Sequence, residues 1–168
     1  GYVFVRLEPL KEIKVSKDYE IISTNNRQPQ NTFLLNVGPT ENELLEKMHS
    51  KTKYNIGLSQ RNEMEIKNEK NIDVFWKLNI ETTERDKFKS HDHEYYKKML
   101  EMENCYQLTA YFAGESIASN ILIHFGDTLT YLHGASGNKN RNLMATYLLQ
   151  WKGIQLAKKI GAIYYDFG

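Results

Sequence analysis

The chain has one cysteine, almost no net charge, no long apolar run and no internal repeat. Each of these absences removes a class of protein. Cys105 stands alone, so no internal disulfide framework can form, and the chain suits a reducing compartment. Lys and Arg number 22 against 21 Asp and Glu, a net charge of +1. No global field draws a polyanion, and any nucleic-acid contact has to use a local basic patch. Apolar runs fall far short of the roughly 20 residues that span a bilayer. The chain opens Gly1-Tyr2-Val3-Phe4-Val5 without Met and without a basic-then-apolar leader. What is present is core material: 40% of the 168 residues are hydrophobic and 12% aromatic, too many for a disordered chain. That length holds one domain, or one domain and part of another. The ending Tyr164-Tyr165-Asp166-Phe167-Gly168 reads as a strand cut at its exit, so a piece of a longer protein is expected.

Local patterning then predicts the order of elements. Tyr2 to Leu7 reads as a short strand stopped by Pro9, residues 24–31 as a polar loop, and Thr32 to Val37 as a second strand. A boundary is expected at Gly38-Pro39. Thr40 and Glu43 have capping-box spacing ahead of Leu44, Leu45 and Met48. Met64 to Ile66 is a brief strand. A helix is predicted from Asp73 to Phe88 with Val74, Leu78, Ile80 and Phe88 as its apolar side. Another follows, capped by Ser90, with Tyr95, Tyr96, Met99 and Leu100 as its apolar side. Cys105–Phe112, Ile117–Phe125 and Thr128–Ala135 are β-rich runs joined at Gly114-Glu115 and Gly126-Asp127, which predicts an antiparallel meander. On the middle run Ile117, Ile121, Ile123 and Phe125 are expected to share a face, with Asn120 and His124 on the other. The strongest helix runs from Asn142 to Lys159, with Leu143, Tyr147, Trp151, Ile154 and Ala157 at i+3 and i+4 spacing. Ile163 to Phe167 is the last strand. Helices, meander, long helix and strand suit a mixed α/β sheet flanked by helices.

Four stretches invite a chemical reading. His91 and His93 are neighbours-but-one on a helix start and diverge, so a capped helix is favoured and no metal site is expected. Cys105 has no basic partner nearby in sequence and reads as an inert core thiol. Tyr131, His133 and Ala135 are expected on one strand face, with Gly134 allowing close approach of a backbone or a ligand. The polar loop 137–142 enters the strong helix and is either an anion or carbonyl site or a solvated turn. It has no glycine-rich phosphate cradle, so nucleoside triphosphate binding has no support. Lys51, Thr52, Lys53, Tyr54 and Asn55 form a basic-aromatic cluster, placed at a helix end. They read either as a contact for phosphate and base or as cations at a helix C-terminus.

Read together, several phrases resemble one family. They are Lys51-Thr52-Lys53-Tyr54-Asn55-Ile56, Glu81-Thr82-Thr83-Glu84-Arg85-Asp86-Lys87-Phe88, Tyr95-Tyr96-Lys97-Lys98-Met99-Leu100 and Tyr131-Leu132-His133-Gly134-Ala135-Ser136. Arg141-Asn142-Leu143-Met144-Ala145, Leu149-Gln150-Trp151 and Tyr165-Asp166-Phe167-Gly168 complete the series. In this order they resemble the Fem-type aminoacyltransferases of bacterial cell-wall synthesis, the FemABX family, from about Gln28 to Gly168. The resemblance implies a GNAT-like acyltransferase fold used twice. Residues 1–38 would be the remnant of a first domain and 39–168 a second domain, truncated at its C-terminal end. It implies transfer of an amino acid from aminoacyl-tRNA, the co-substrate, to an amine of a peptidoglycan precursor. No cofactor and no metal are implied.

By the same resemblance His91, Tyr95, Tyr131, His133, Ser136, Arg141, Asn142 and Phe167 line the substrate cleft. Lys51, Lys53 and Tyr54 meet tRNA, and Asp166 is a candidate proton acceptor. Lys53 stands where Arg is usual, which turns a bidentate phosphate contact into a point contact. A sister Fem-type transferase is an expected partner. The expected location is the cytoplasm, including the inner face of the membrane. Two other functions fit the same elements. One is an acyl-CoA-dependent N-acyltransferase of the GNAT fold, although Asn138 to Ala145 contains no glycine where coenzyme pyrophosphate needs close backbone approach. The other is a non-catalytic module that binds cell-wall precursor.

Overall fold

The structure, a computed structural model, describes residues 14–16, 18, 20–22 and 31–168. The strand expected at Tyr2–Leu7 and, apart from Asn31, the loop at 24–31 lie outside the described residues. The chain divides into two compact units, Gly1–Thr32 and Phe33–Gly168. The second begins ahead of the boundary expected at Gly38-Pro39. Strand β1 (Leu34–Asn36) is the reason: it pairs antiparallel with β6 (Tyr164–Asp166) and so belongs to the same sheet.

That sheet has six strands in the order β1-β6-β5-β4-β3-β2. The predicted meander is its centre: β3 (Cys105–Phe112), β4 (Glu115–Phe125) and β5 (Thr128–Ser136), antiparallel throughout, with β2 (Glu65–Asn68) on β3. The two meander turns hold Gly114 and Gly126 at positive φ, where a side chain would be strained. Helix α5 (Ala145–Lys159) crosses back to β6, which runs parallel to β5. Meander, long helix and one parallel returning strand make the GNAT-like mixed α/β fold that the resemblance implies. No helix among the described residues is long and apolar enough to cross a membrane.

Helices cover both faces of the sheet. On one, α5 buries Leu148, Leu149, Trp151, Ile154 and Ala157 against Leu122, Leu129 and Tyr165, with α1 (Glu41–Lys47) and α2 (Ser50–Arg61) beside it. On the other, α3 (Ile72–Asp86) and α4 (His93–Glu101) bring Phe75, Leu78, Tyr96 and Leu100 onto Cys105, Ile121 and Ala135. The Thr40–Glu43 capping box forms as predicted.

Several expectations change, each for a local reason. The basic cluster from Lys51 lies in the first half of a separate helix, α2, because His49 caps it: its Nδ1 accepts from the Lys51 N–H at 3.2 Å. In α3 the buried side is Phe75, Leu78, Asn79 and Thr82, the true i, i+3, i+4, i+7 series. Ile80 points outward, and Phe88 falls beyond the helix, which ends as Lys87 turns left-handed. Asp92, not Ser90, caps α4, accepting from the Tyr95 N–H at 2.8 Å, while the Ser90 hydroxyl accepts from Asn79 Nδ2. Helix α5 starts at Ala145 rather than Asn142, because Arg141–Leu143 forms a 3₁₀ turn and Met144 is left-handed.

Two bulges matter most for the site. Pairing of β4 with β5 passes from Ile121↔His133 to Leu122↔Tyr131, which leaves Leu132 without an opposite residue. Tyr131 therefore joins the α5 face, and His133 joins Ala135 on the α3/α4 face. They do not share a face as expected. A second shift, between β3 and β4 at Ala110/Tyr111, puts Ile117 in the α5-side core while Ile121 packs on the α3/α4 side.

Candidate functional site

The connection from β5 to α5 builds a cleft of about 450 Å³. Half of its lining is a polar and basic run: Ser136, Gly137, Lys139, Asn140, Arg141 and Asn142. Ile117, Ala118, Met144 and the start of α5 from Ala145 to Tyr147 complete the lining. With no glycine from 138 to 145, the two left-handed turns fall to Asn140 (φ 57) and Met144 (φ 56). Among the described residues no side chain caps α5 at this end.

Two helices hold this connection in shape. From α3, the Thr82 hydroxyl accepts from the Ser136 N–H at 2.8 Å and lies 3.1 Å from the Ser136 carbonyl. Arg85 Nη1 donates to the Ser136 carbonyl at 2.9 Å and to Asn138 Oδ1 at 3.1 Å, and Glu81 Oε2 accepts from the Asn138 N–H at 2.9 Å. From α2, the buried Ser59 hydroxyl sits 2.6 Å from the Leu143 carbonyl and 2.7 Å from that of Met144. Sequence reasoning missed these residues as a clamp. Glu81-Thr82-Thr83-Glu84-Arg85 counted only as a family phrase, and nothing local marks Ser59 as buried.

The opposite face carries an aromatic and imidazole cluster. His91 stacks on Tyr95 with ring centroids 3.9 Å apart, and His133 stands edge-on to Tyr96 at 5.0 Å, Tyr95 at 6.0 Å and His91 at 6.1 Å. Burial, helped by His91, pushes the His133 imidazole down to about 4, so it is neutral at pH 7. His93 turns away from His91 toward the edge of Trp76 and toward Asp73. Cys105 is buried, and burial pushes its thiol up to about 11, so it is no thiolate at pH 7.

The expected site residues thus fall into groups. Ser136, Arg141 and Asn142 meet at the cleft. His91, Tyr95 and His133 meet on the α3/α4 face. Tyr131 and Phe167 pack on the α5 side, Phe167 against the rings of Phe33 and Tyr165. Asp166 alternates with Tyr165 on β6, and its Oδ1 accepts from the Gly168 N–H at 3.0 Å. Lys51, Lys53 and Tyr54 are exposed on α2, the helix whose Ser59 touches the cleft connection. Between the groups, β6 pairs with β5 over Thr128–Thr130, and Gly168 lies close against the Tyr131 carbonyl.

The FemAB family signature matches residues 18–113 and 103–168. The chain belongs to the FemAB family. Among solved structures, FemX is similar over 91% of this chain and 54% of its own, with 18% identity and a TM-score of 0.77. The C-terminal domain of a putative lysylphosphatidylglycerol synthetase from Agrobacterium fabrum matches 82% of this chain and 45% of its own, at 8% identity and TM-score 0.62. L-PGS from Bacillus licheniformis matches the same shares at 11% identity and TM-score 0.58. The chain therefore spans about half the length of these structures. No curated protein sequence matches it.

Proposed function

We propose that the protein is an aminoacyltransferase that moves an amino acid from aminoacyl-tRNA to an amine of a peptidoglycan precursor. The amine nitrogen attacks the ester carbonyl carbon on the terminal ribose. A C–N bond forms, the ester C–O bond breaks, and the amine's proton ends on the released ribose hydroxyl. Of the observations that support this reading, the construction of the 136–147 cleft carries it. A coenzyme pyrophosphate needs bare backbone at a helix N-terminus. Here four long polar side chains, Lys139 to Asn142, line that approach instead. Such a rim suits a ribose-phosphate end that is contacted by side chains.

In this reading Arg141 and Asn142 orient the RNA end, and Lys51, Lys53 and Tyr54 meet the acceptor stem from the α2 surface. Lys51 lies about 12 Å along the helix axis from Ser59. His91, Tyr95 and neutral His133 take the precursor on the other face. Donor and acceptor meet beside Tyr131, Ser136 and Phe167, and Asp166 is the candidate to receive the proton. The test uses the intact protein with tRNA charged with radiolabelled amino acids and a nucleotide-linked muramyl peptide. RNase-sensitive transfer of label is expected. RNase-insensitive transfer, or tight acetyl-CoA binding by calorimetry, overturns the reading.

A further inference from the structure

Asn120 sits in the middle of β4, 3% exposed, with no hydrogen-bond partner for its Nδ2. Burying an amide N–H₂ without a partner costs about 1–3 kcal/mol, so such a group is rare unless something uses it. Its position is informative. It alternates with Ala118 and Leu122, both in the α5-side core, and lies opposite Gly134 on β5. Ala118 lines the cleft. Asn120 is therefore one pleat repeat, about 7 Å, further in along the same face.

A second polar group converges on the same spot. The Leu132 bulge turns Tyr131 onto this face, and its ring lies along the strand over Gly134. A Cβ at residue 134 would stand 1.9 Å from the Tyr131 hydroxyl. The close approach at Gly134 is thus made by Tyr131 itself, where the sequence suggested a visiting backbone or a ligand. Among the described residues that hydroxyl donates to nothing, although the neighbouring Tyr165 hydroxyl is satisfied by Gln150 Oε1 at 2.6 Å. Burial raises the Tyr131 phenol, so it keeps its proton. Two unused donors therefore stand on the α5 face around Gly134, one pleat repeat along β4 from Ala118, which lines the cleft.

We propose that Asn120 Nδ2 and the Tyr131 hydroxyl form a hole for a carbonyl oxygen, the acyl carbonyl of the donor that enters through the 136–147 cleft. The proposal rests on the acyl-transfer reading above. As the amine adds to the carbonyl carbon, the π electrons move onto this oxygen, and both donors hold the resulting oxyanion. When the electrons return, the ribose oxygen leaves with the proton that the amine gave up. Donors pre-aimed at a developing charge act mainly on the transition state.

Two measurements on the intact protein test this. The first needs no ligand: thermal unfolding of Asn120→Leu, which removes an unsatisfied polar group at similar volume. The expected Tm is higher by about 2–5 °C. A clear drop means that Asn120 holds the fold together, and overturns the proposal. The second titrates 3′-glycylamido-3′-deoxyadenosine, an amide mimic of the charged tRNA end whose acyl group has no side chain for a pocket to refuse. The Asn120 side-chain amide resonance should shift on binding. Asn120→Leu should transfer amino acid about 30- to 100-fold more slowly with little change in KM, and Tyr131→Phe about tenfold more slowly. A wild-type protein that transfers while both variants match it, and while the Asn120 resonance stays still, overturns the hole and leaves the aminoacyltransferase reading intact. A wild-type protein that neither binds the mimic nor transfers overturns both.

Discussion

The two faces of the sheet treat their buried polar groups differently. On the α3/α4 face Gln107, Thr109 and Ser119 are buried and bonded to one another. Gln107 also clasps the backbone of Asn71 at the start of α3, accepting from its N–H at 2.7 Å and donating to its carbonyl at 3.0 Å. Asn79 and Thr82 on α3 are likewise satisfied. On the α5 face Asn120 Nδ2 and His124 Nε2 have no partner, and both alternate with Leu122 on β4. The network around Gln107 is closed, whereas on β4 the α5 face keeps two buried nitrogens unpaired among the described residues, although Ser59 and Tyr165 on that side are satisfied.

The sharpest way to break that contrast is to remove Gln107. Gln107→Ala strands the Asn71 N–H, leaves its carbonyl with the Phe75 N–H alone, and opens a cavity under α3. It is expected to cost about 3–4 kcal/mol in urea unfolding. The same measurement on Asn120→Leu should move the other way. If both variants lose stability alike, the two faces do not differ in kind.

A smaller effect separates the faces by pH. Folded His133 accepts a proton only near pH 4, against 6.5 for a free imidazole. Between those values the unfolded chain binds more protons, so stability is lost as pH falls from about 6.5 toward 4. Against His133→Gln, the wild type should lose on the order of 2 kcal/mol more between pH 7 and pH 4.5. The groups facing His133 are His91, just ahead of α4, and Tyr95 and Tyr96 of α4, so the loss should be confined to the α3/α4 side. Equal pH profiles for the two proteins would show that His133 is not held neutral.

Much of the fold was legible in the sequence, and the contrast between its faces was not, for identifiable reasons. The meander, the long helix and the returning strand followed from period-2 and i+3/i+4 patterns bounded by Gly114, Gly126 and Gly161. The family phrases placed Ser136, Arg141 and Asn142 at one connection. Alternation alone cannot find a bulge, because the residue that breaks register, Leu132, looks like any strand residue. Missing it put Tyr131 and His133 on one face and hid what Asn120 points toward. Ser90 and Asp92 both have capping chemistry, and only the path of the chain chooses between them. The α3 face was misread because Phe75 and Thr82 were passed over for Ile80 and Phe88, which do not keep a helical period with Leu78.

The smallest test concerns how firmly the α3/α4 side holds the cleft that opens on the other. Among the described residues Arg85 is the one side chain that reaches both Ser136 and Asn138, through a planar fork that also pairs with Asp86 at 3.0 Å. Lysine keeps the charge but offers a single point in place of the fork. Arg85→Lys should cost no more than about 1 kcal/mol globally, because Thr82 still holds the Ser136 N–H and Glu81 the Asn138 N–H. Locally the effect should be larger. Amide exchange at Ser136 and Asn138 should rise about tenfold, the equivalent of about 1.4 kcal/mol of lost local protection, while exchange in β3 stays unchanged. A rise across the whole sheet would mean that Arg85 supports the fold at large. No rise at all would mean that Thr82, Glu81 and Ser59 hold the connection without it.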